Sequence, residues 1–170
     1  MTDLRYPIGP ETNETPVAEA IRILEEAPAR LRDAVRGLDD RQLDTPYRPG
    51  GWTVRQVIHH MADSHMHAYC RCRLAVVEDA PEVKVYNERT WAELPDARTL
   101  PVEVSLDLVE ALHIRLVTLF RSLTPEQWKR IYRHSERGPV RLDHAASSYA
   151  WHSRHHTAHI TGLRERMGWK

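Results

Sequence analysis

The sequence Trp-His-Ser-Arg-His-His-Thr-Ala-His-Ile, residues 151–160, places four histidines within a short stretch. An α-helix brings residues four apart onto one face, so this stretch contains two same-face pairs, His152 with His156 and His155 with His159. Two imidazoles one turn apart on a rigid element can chelate a single metal ion. The stretch therefore predicts a helix that carries a metal-binding face.

A second group of histidines precedes it in the chain. His59, His60 and His65 lie within residues 50–65, GGWTVRQVIHHMADSH, and His67 follows shortly after. Catalytic zinc sites usually take three protein ligands and leave one position open for water or substrate. One histidine of this group, His59 or His60, would complete such a set. The spacing does not choose between these two or between the two C-terminal pairs, and a solvated histidine-rich face is the simpler alternative.

Apolar residues recur at helical spacing in four long segments, which predicts an all-α four-helix bundle. The segments are expected to run from Pro16, capped by Thr15, to about Gly37; from Thr53 as N-cap to about Val77; from Ser105 through Phe120; and from Asp143 as N-cap to Met167. Short helical turns are expected at 39–43, at 88–94 and after Thr124, and a short β-hairpin at 131–142. We expect a single domain, residues 1–170, with residues 1–15 as an extended N-terminal arm.

Composition limits the possible functions. The chain has 24 basic and 24 acidic side chains in 170 residues, and this balance argues against a broad nucleic-acid-binding surface. No apolar run approaches the roughly 18 residues of a membrane span, and the N-terminus lacks signal-peptide features. A cytoplasmic protein with no nucleic-acid or membrane partner is expected. Cys70 and Cys72 have a spacing that does not suit a disulfide or a shared ligand on a helix, so reduced thiols are expected.

The two histidine-rich stretches resemble the two signatures of the DinB/YfiT-like superfamily, and residues 6–9, 42–48 and 166–169 resemble its YfiT branch. The resemblance implies a four-helix bundle that holds one divalent metal ion per subunit through three histidines. The family pattern H-[LM]-A-D maps the first ligand onto His60. The pattern H-x-x-x-H-x-x-[QH] maps the other two onto His152 and His156. The resemblance also implies a homodimer, with zinc as the expected metal and nickel as the alternative.

The resemblance implies an enzyme, because family members are commonly described as metal-dependent hydrolases, in which the ion activates water. Some relatives are instead thiol S-transferases, which join a low-molecular-weight thiol such as bacillithiol to an electrophile. A small-molecule substrate is expected in either case. A third alternative, from a different class, is a non-catalytic metal-binding stress-response protein.

These patterns do not identify the catalytic acid or base, for which Asp63, His155 and His159 are the candidates. Asp63 can orient a ligand imidazole or pair at the surface. His155 and His159 can transfer protons near the metal, or lie at the surface or in an interface. His65 and His67 are expected at the surface or in a dimer contact.

Other residues near the two signatures have simpler expected roles. Trp52 and Trp151 are expected in the core. Arg55 and Arg154 can hold an anionic substrate, although surface ion pairs are the commoner fate of such residues.

Overall fold

Four long helices form the predicted bundle. The structure, a computed structural model, describes residues 4–12 and 14–170. The helices, in chain order, are α1 (Val17–Val35), α2 (Asp40–Leu43), α3 (Val54–Val77), α4 (Glu88–Trp91), α5 (Pro95–Thr99), α6 (Val102–Ser122), α7 (Pro125–Trp128) and α8 (Leu142–Met167). Helices α1, α3, α6 and α8 build the bundle. Within the described residues, no helix has both the length and the apolar character that are needed to cross a membrane.

The long helices are arranged as a square in which each packs against two neighbours. Helix α1 packs against α6 and α8, and α3 packs against the same two helices. The consecutive helices α1 and α3 therefore lie diagonally opposite each other, as do α6 and α8. Each diagonal connection needs a crossover, and residues 36–53 and 123–141 supply the two crossovers.

A three-stranded sheet adjoins the start of α8. Its strands are β1 (Glu82–Val83), β2 (Ile131–His134) and β3 (Gly138–Arg141), in that spatial order. Strands β2 and β3 form the predicted hairpin, with Tyr132 opposite Val140. Strand β1 adds to β2 in parallel, with Glu82 opposite Arg133. The sequence did not predict β1, because two residues are too few to show the alternation by which strands are recognised.

Three predicted helix starts are wrong by a few residues. Helix α1 begins directly after Pro16 without a side-chain cap, and α6 begins at Val102 rather than after Ser105. In both helices the N-cap is a proline, a residue that suits the first turn equally well. Helix α8 begins at Leu142, and Asp143 lies in its first turn instead of capping it. Apolar periodicity locates a helix but does not locate its ends.

A layer of histidines divides the interior into two apolar clusters. The cluster near the sheet includes Leu24, Ala68, Leu116, Phe120, Tyr132 and Tyr149. The cluster at the other end of the bundle includes Leu31, Val57, Ile58, Met61, Val109 and Ile160. His65 on α3 and His113 on α6 lie between the two clusters. Because each imidazole has two polar nitrogens, this layer must be hydrogen-bonded to be buried without a large cost in free energy.

Helix α3 begins where the sequence predicts, at a capping box. The Thr53 hydroxyl accepts a hydrogen bond from the Gln56 backbone N–H (3.1 Å), and the Gln56 side chain accepts one from the Thr53 N–H (2.9 Å). The Gln56 amide also donates to the Ala92 carbonyl (2.7 Å). These bonds hold the start of the helix that carries His60.

Replacing Thr53 with Ala should lower the free energy of unfolding by about 1 kcal/mol, because an N–H of the first turn loses its partner. Urea denaturation followed by circular dichroism measures the change. Thr53→Ser is the matched control, since it retains the hydroxyl. Equal stability of the Ala and Ser variants would show that the cap does not stabilise this helix.

Candidate metal centre

Helices α3 and α8 bring His60, His152 and His156 together. One ring nitrogen of each lies within 4.8 Å of a ring nitrogen of the other two. The Nε2 atoms of His60 and His152 are 3.2 Å apart, and the ring centres of His152 and His156 are 4.4 Å apart. The i, i+4 pair on α8 thus faces one histidine of α3 across the interface between the two helices.

The separation and surroundings of these nitrogens suit a divalent metal ion. Zinc–imidazole bonds of 2.0–2.1 Å at a tetrahedral angle place two nitrogens roughly 3.3 Å apart. The distance between the His60 and His152 nitrogens is close to this value. The Nδ1 atom of His156 is buried and has no hydrogen-bond partner among the described residues. The distance between the nitrogens therefore fits a metal ion, and Nδ1 of His156 is an imidazole nitrogen that forms no hydrogen bond with the described residues.

Burial keeps the three imidazoles neutral, which is the form that binds metal. Desolvation lowers the pKa of His60 to about 4, and the nearby His155 adds to the effect. Desolvation also lowers the pKa of His152 and of His156 well below the usual value, and neighbouring imidazoles reinforce both shifts. At neutral pH the cluster therefore presents lone pairs and not cations.

His59 faces away from this cluster although it adjoins His60 in sequence. Its Nε2 lies 3.2 Å from the Leu100 carbonyl and must donate, because a carbonyl only accepts. Its Nδ1 then accepts from the Ser105 hydroxyl at 2.7 Å. Both ring nitrogens are thus occupied at the start of α6. Consecutive helical residues point about 100° apart, so only one of the two histidines can reach α8.

The second pair on α8, His155 and His159, contacts the N-terminal arm. The ring of His155 lies 5.9 Å from that of Tyr6, and Nε2 of His159 donates to the Arg5 carbonyl at 3.2 Å. The Nδ1 atom of each histidine is buried and has no hydrogen-bond partner in the described part of the chain. The arm therefore packs along α8; residues 1–3 and 13 of the predicted arm lie outside the described residues.

His65 is completely buried, which corrects the expectation that it lies at the surface or in a dimer contact. Its Nδ1 is 2.9 Å from Nε2 of His113, and its Nε2 is 3.2 Å from Nδ1 of His152. His113 in turn contacts the Leu24 carbonyl through Nδ1 at 2.5 Å. His65 and His113 therefore support His152, a member of the histidine cluster, from inside the core.

Sequence reasoning missed His113 and misplaced His65, although a signal for both is present. His65 lies four residues after Met61, and His113 lies four residues after Val109. Each histidine thus occupies a position on the apolar stripe of its helix. A histidine in such a stripe points into the core and needs a buried partner.

Asp63 is half-buried, one turn after His60 on α3. Desolvation raises its pKa to about 6, and the charge of Asp96 adds to the rise. Burial and the Asp96 charge alone act on the pKa of the Asp63 carboxyl, and no hydrogen bond between described residues joins it to an imidazole of the cluster. Asp63 therefore does not orient one of these rings in this arrangement. A carboxyl with this pKa can exchange protons near neutral pH.

The connection between α3 and α6 covers His67, which is half-buried and not exposed as expected. His67 stacks on Tyr86 with ring centres 4.4 Å apart and lies 5.5 Å from Trp91. Burial raises the pKa of Tyr86, and the charge of Asp63 raises it further. Asp63 therefore lies beside this aromatic group.

Trp52 and Trp151 are half-buried beside the histidines. Trp52 lies 4.7 Å from the ring centre of His60 and stacks on His156 at 6.4 Å. Trp151 stacks on His155 at 4.3 Å. Trp52 thus packs against one side of the cluster formed by His60, His152 and His156, while Trp151 packs against the second histidine pair.

Arg55 is not available for an anionic substrate. Its guanidinium is buried and pairs with Asp40 at 2.9 Å and Asp44 at 2.7 Å. These ion pairs hold α2, which contains Asp40, and the adjacent Asp44 against α3. Arg154 is exposed on α8.

The metal-free protein should lose stability in mild acid, because its buried histidines are neutral when folded and titrate near pH 6.5 when unfolded. Their folded pKa values are lowered, so their contribution is complete above about pH 6.5 and is lost below it. A histidine whose folded pKa is about 4, such as His60, accounts for about 2 kcal/mol between pH 7 and pH 5. Denaturation curves in the presence of a chelator, at several pH values, measure this loss.

A matched variant checks the origin of this acid sensitivity. His113→Gln removes one buried imidazole and should make the decline of stability with acid less steep. Unchanged stability of the metal-free wild type between pH 7 and pH 5 would contradict the neutral state of the histidine layer.

Comparison with known proteins places this site in a family. The model of the DinB superfamily matches residues 23–160. A Bacillus cereus protein named "Putative metal-dependent hydrolase" is 52% identical over 99% of this chain and 100% of its own length. YfiT from Bacillus subtilis, described as "a probable metal-dependent hydrolase with an unusual four-helix bundle topology", is 47% identical, with a TM-score of 0.94 over 98% of this chain and 99% of that one.

A more distant likeness concerns the fold alone. TT2238, a four-helix bundle protein, is 20% identical, with a TM-score of 0.55 over 88% of this chain and 98% of that one. The near relatives match almost the whole chain and the family model spans most of the bundle, including all three histidines of the cluster. This chain belongs to the DinB superfamily.

Proposed function

We propose that this protein is a metal-dependent hydrolase whose ion is held by His60, His152 and His156. The observation that carries the proposal is the convergence of three imidazoles within 4.8 Å. The names of the Bacillus relatives support the same chemistry. Three protein ligands leave a coordination position open, as catalytic metal sites require.

A divalent ion held by His60, His152 and His156 would supply Lewis acidity and would lower the pKa of a water bound to it. The side chains of the protein supply the remaining functions. His60 lies on α3 and the other two proposed ligands lie on α8, so the packing of these helices would determine the position of the ion. Trp52 covers one side of His60 and His156 and limits the access of bulk water from that side.

Asp63 is the proposed group for proton transfer. Its pKa of about 6 allows the carboxyl to accept and release protons near neutral pH. It lies one turn from His60 on the same helix. The other two candidates, His155 and His159, contact the N-terminal arm, so we assign them to holding the arm on α8.

Zinc is the proposed metal and nickel the alternative, since imidazole nitrogens suit both. The proposed substrate is a small molecule.

We further propose that the protein is a cytoplasmic homodimer. Val104 and Leu108, one turn apart on α6, and Ile114 further along that helix expose apolar side chains that can support association.

Replacing any of the three proposed ligands with Ala should abolish stoichiometric metal binding, because two imidazoles hold a divalent ion far less tightly than three. Elemental analysis of purified His60→Ala, His152→Ala and His156→Ala measures the metal content. His59→Ala is the matched control and should keep its metal, since His59 bonds Leu100 and Ser105 instead. Stoichiometric metal in His156→Ala would refute the ligand assignment.

The metal-loaded protein should hydrolyse members of a panel of esters, amides and lactams. Chelation should abolish the activity, and zinc or nickel should restore it. Asp63→Asn should retain the metal but lower turnover by about 10²–10⁴-fold, the usual contribution of a general acid or base. Turnover unchanged in Asp63→Asn would remove Asp63 from the mechanism.

A separate assay tests the alternative chemistry on the same site. The metal-loaded protein is incubated with bacillithiol and monochlorobimane, and the conjugate is measured. Conjugate formation without hydrolysis of the panel would identify a thiol S-transferase and refute the hydrolase. Tight metal binding with neither activity would favour a non-catalytic metal-binding protein.

A further inference from the structure

We propose that His65 and His113 are positioning residues for the metal centre, because they set the tautomer of His152 that leaves its Nε2 lone pair free for the ion. The inference rests on the metal site proposed above. It is carried by a chain of hydrogen bonds from the Leu24 carbonyl through His113 and His65 to His152. Its four members come from α1, α6, α3 and α8, so it passes through every long helix.

The chain of bonds begins at a carbonyl that α1 leaves without its helical donor. In an α-helix the Leu24 carbonyl would accept from the N–H of residue 28, but Pro28 has no N–H. Nδ1 of His113 lies 2.5 Å from the Leu24 oxygen. Because a carbonyl only accepts, Nδ1 of His113 must carry the proton. Pro28 thus leaves an acceptor that determines the direction of every later bond.

The remaining bonds follow in one direction. A neutral His113 protonated at Nδ1 has its lone pair at Nε2, so His65 donates to it from Nδ1 at 2.9 Å. His65 then accepts at Nε2 from Nδ1 of His152, at 3.2 Å. His152 is therefore protonated at Nδ1. Its lone pair is at Nε2, the atom that lies 3.2 Å from Nε2 of His60.

Burial makes this order of bonds difficult to change. The side chains of His65 and His113 are 0% and 1% exposed. A His152 protonated at Nε2 would place two lone pairs against each other at Nδ1, without water to separate them. Histidine ligands of metals usually donate their second N–H to a fixed acceptor, which sets ring orientation and tautomer. Here that acceptor is the imidazole of His65, which its hydrogen bond to His113 holds in place.

Metal affinity of the full-length chain tests the positioning role. His113→Leu should weaken zinc and nickel binding about 10–100-fold, the usual effect of removing a residue that supports a ligand. His113→Gln should bind within a few-fold of wild type, because its amide N–H can donate to Leu24 and its oxygen can accept from His65. Competition with a chromogenic chelator gives the dissociation constants.

A loss of stability alone would not produce this pattern. His59→Leu is the matched control: it also replaces a buried, hydrogen-bonded histidine, and it should retain wild-type affinity whatever its cost in stability. Circular dichroism and denaturation of each variant give the stability separately. Wild-type affinity in His113→Leu, or equal weakening in the Leu and Gln variants, would overturn the inference.

The tautomers can be read directly in the metal-free wild type. Long-range ¹H–¹⁵N spectra of the imidazoles should show His113, His65 and His152 protonated at Nδ1. Protonation of His152 at Nε2 would overturn the inference even if the variants did not fold. A wild type that binds neither zinc nor nickel would instead refute the proposed function, and the spectra would still decide the order of the hydrogen bonds.

Discussion

The hydrogen-bonded chain from the Leu24 carbonyl to His152 is the constraint on which the arrangement of this bundle depends. It places imidazoles between two apolar clusters, where an unpaired ring nitrogen would be strongly destabilising. Each member comes from a different long helix, so one set of bonds holds all four helices in register. Apolar contacts tolerate small shifts between helices, whereas buried hydrogen bonds of defined direction do not.

The same layer connects the stability of the fold to its chemistry. His65 and His113 support His152. His152, His60 and His156 together form a cluster of neutral imidazoles at the interface of α3 and α8. Because these buried imidazoles stay neutral in the folded protein, the free energy of unfolding falls in mild acid, where the unfolded chain takes up protons on the same histidines. An ion that binds only the folded protein would offset part of that cost. The proposed metal centre and the histidine core are therefore one structural unit.

Local patterns were sufficient for much of the fold. Apolar spacing identified the four long helices, Thr53 as an N-cap residue marked the start of α3, and Gly168, with a φ of 66°, ends α8 as expected. The spacing of His152 and His156, four residues apart, was enough to identify a same-face pair. The helix starts beside Pro16 and Pro101 could not be located in this way, because a proline suits both the cap and the first turn.

The roles of the other histidines required the tertiary structure. From the residues alone His59 and His60 were equivalent, and the family resemblance preferred His60; the contacts of His59 with α6 explain the difference. His65 and His113 are 48 residues apart in sequence, and neither belongs to a local motif that reveals the other. The sequence by itself determined the helices and two alternative pairs of candidate ligands on α8. The tertiary structure decided which imidazole nitrogens form hydrogen bonds with one another, because hydrogen bonds between distant residues leave no periodic pattern in the sequence.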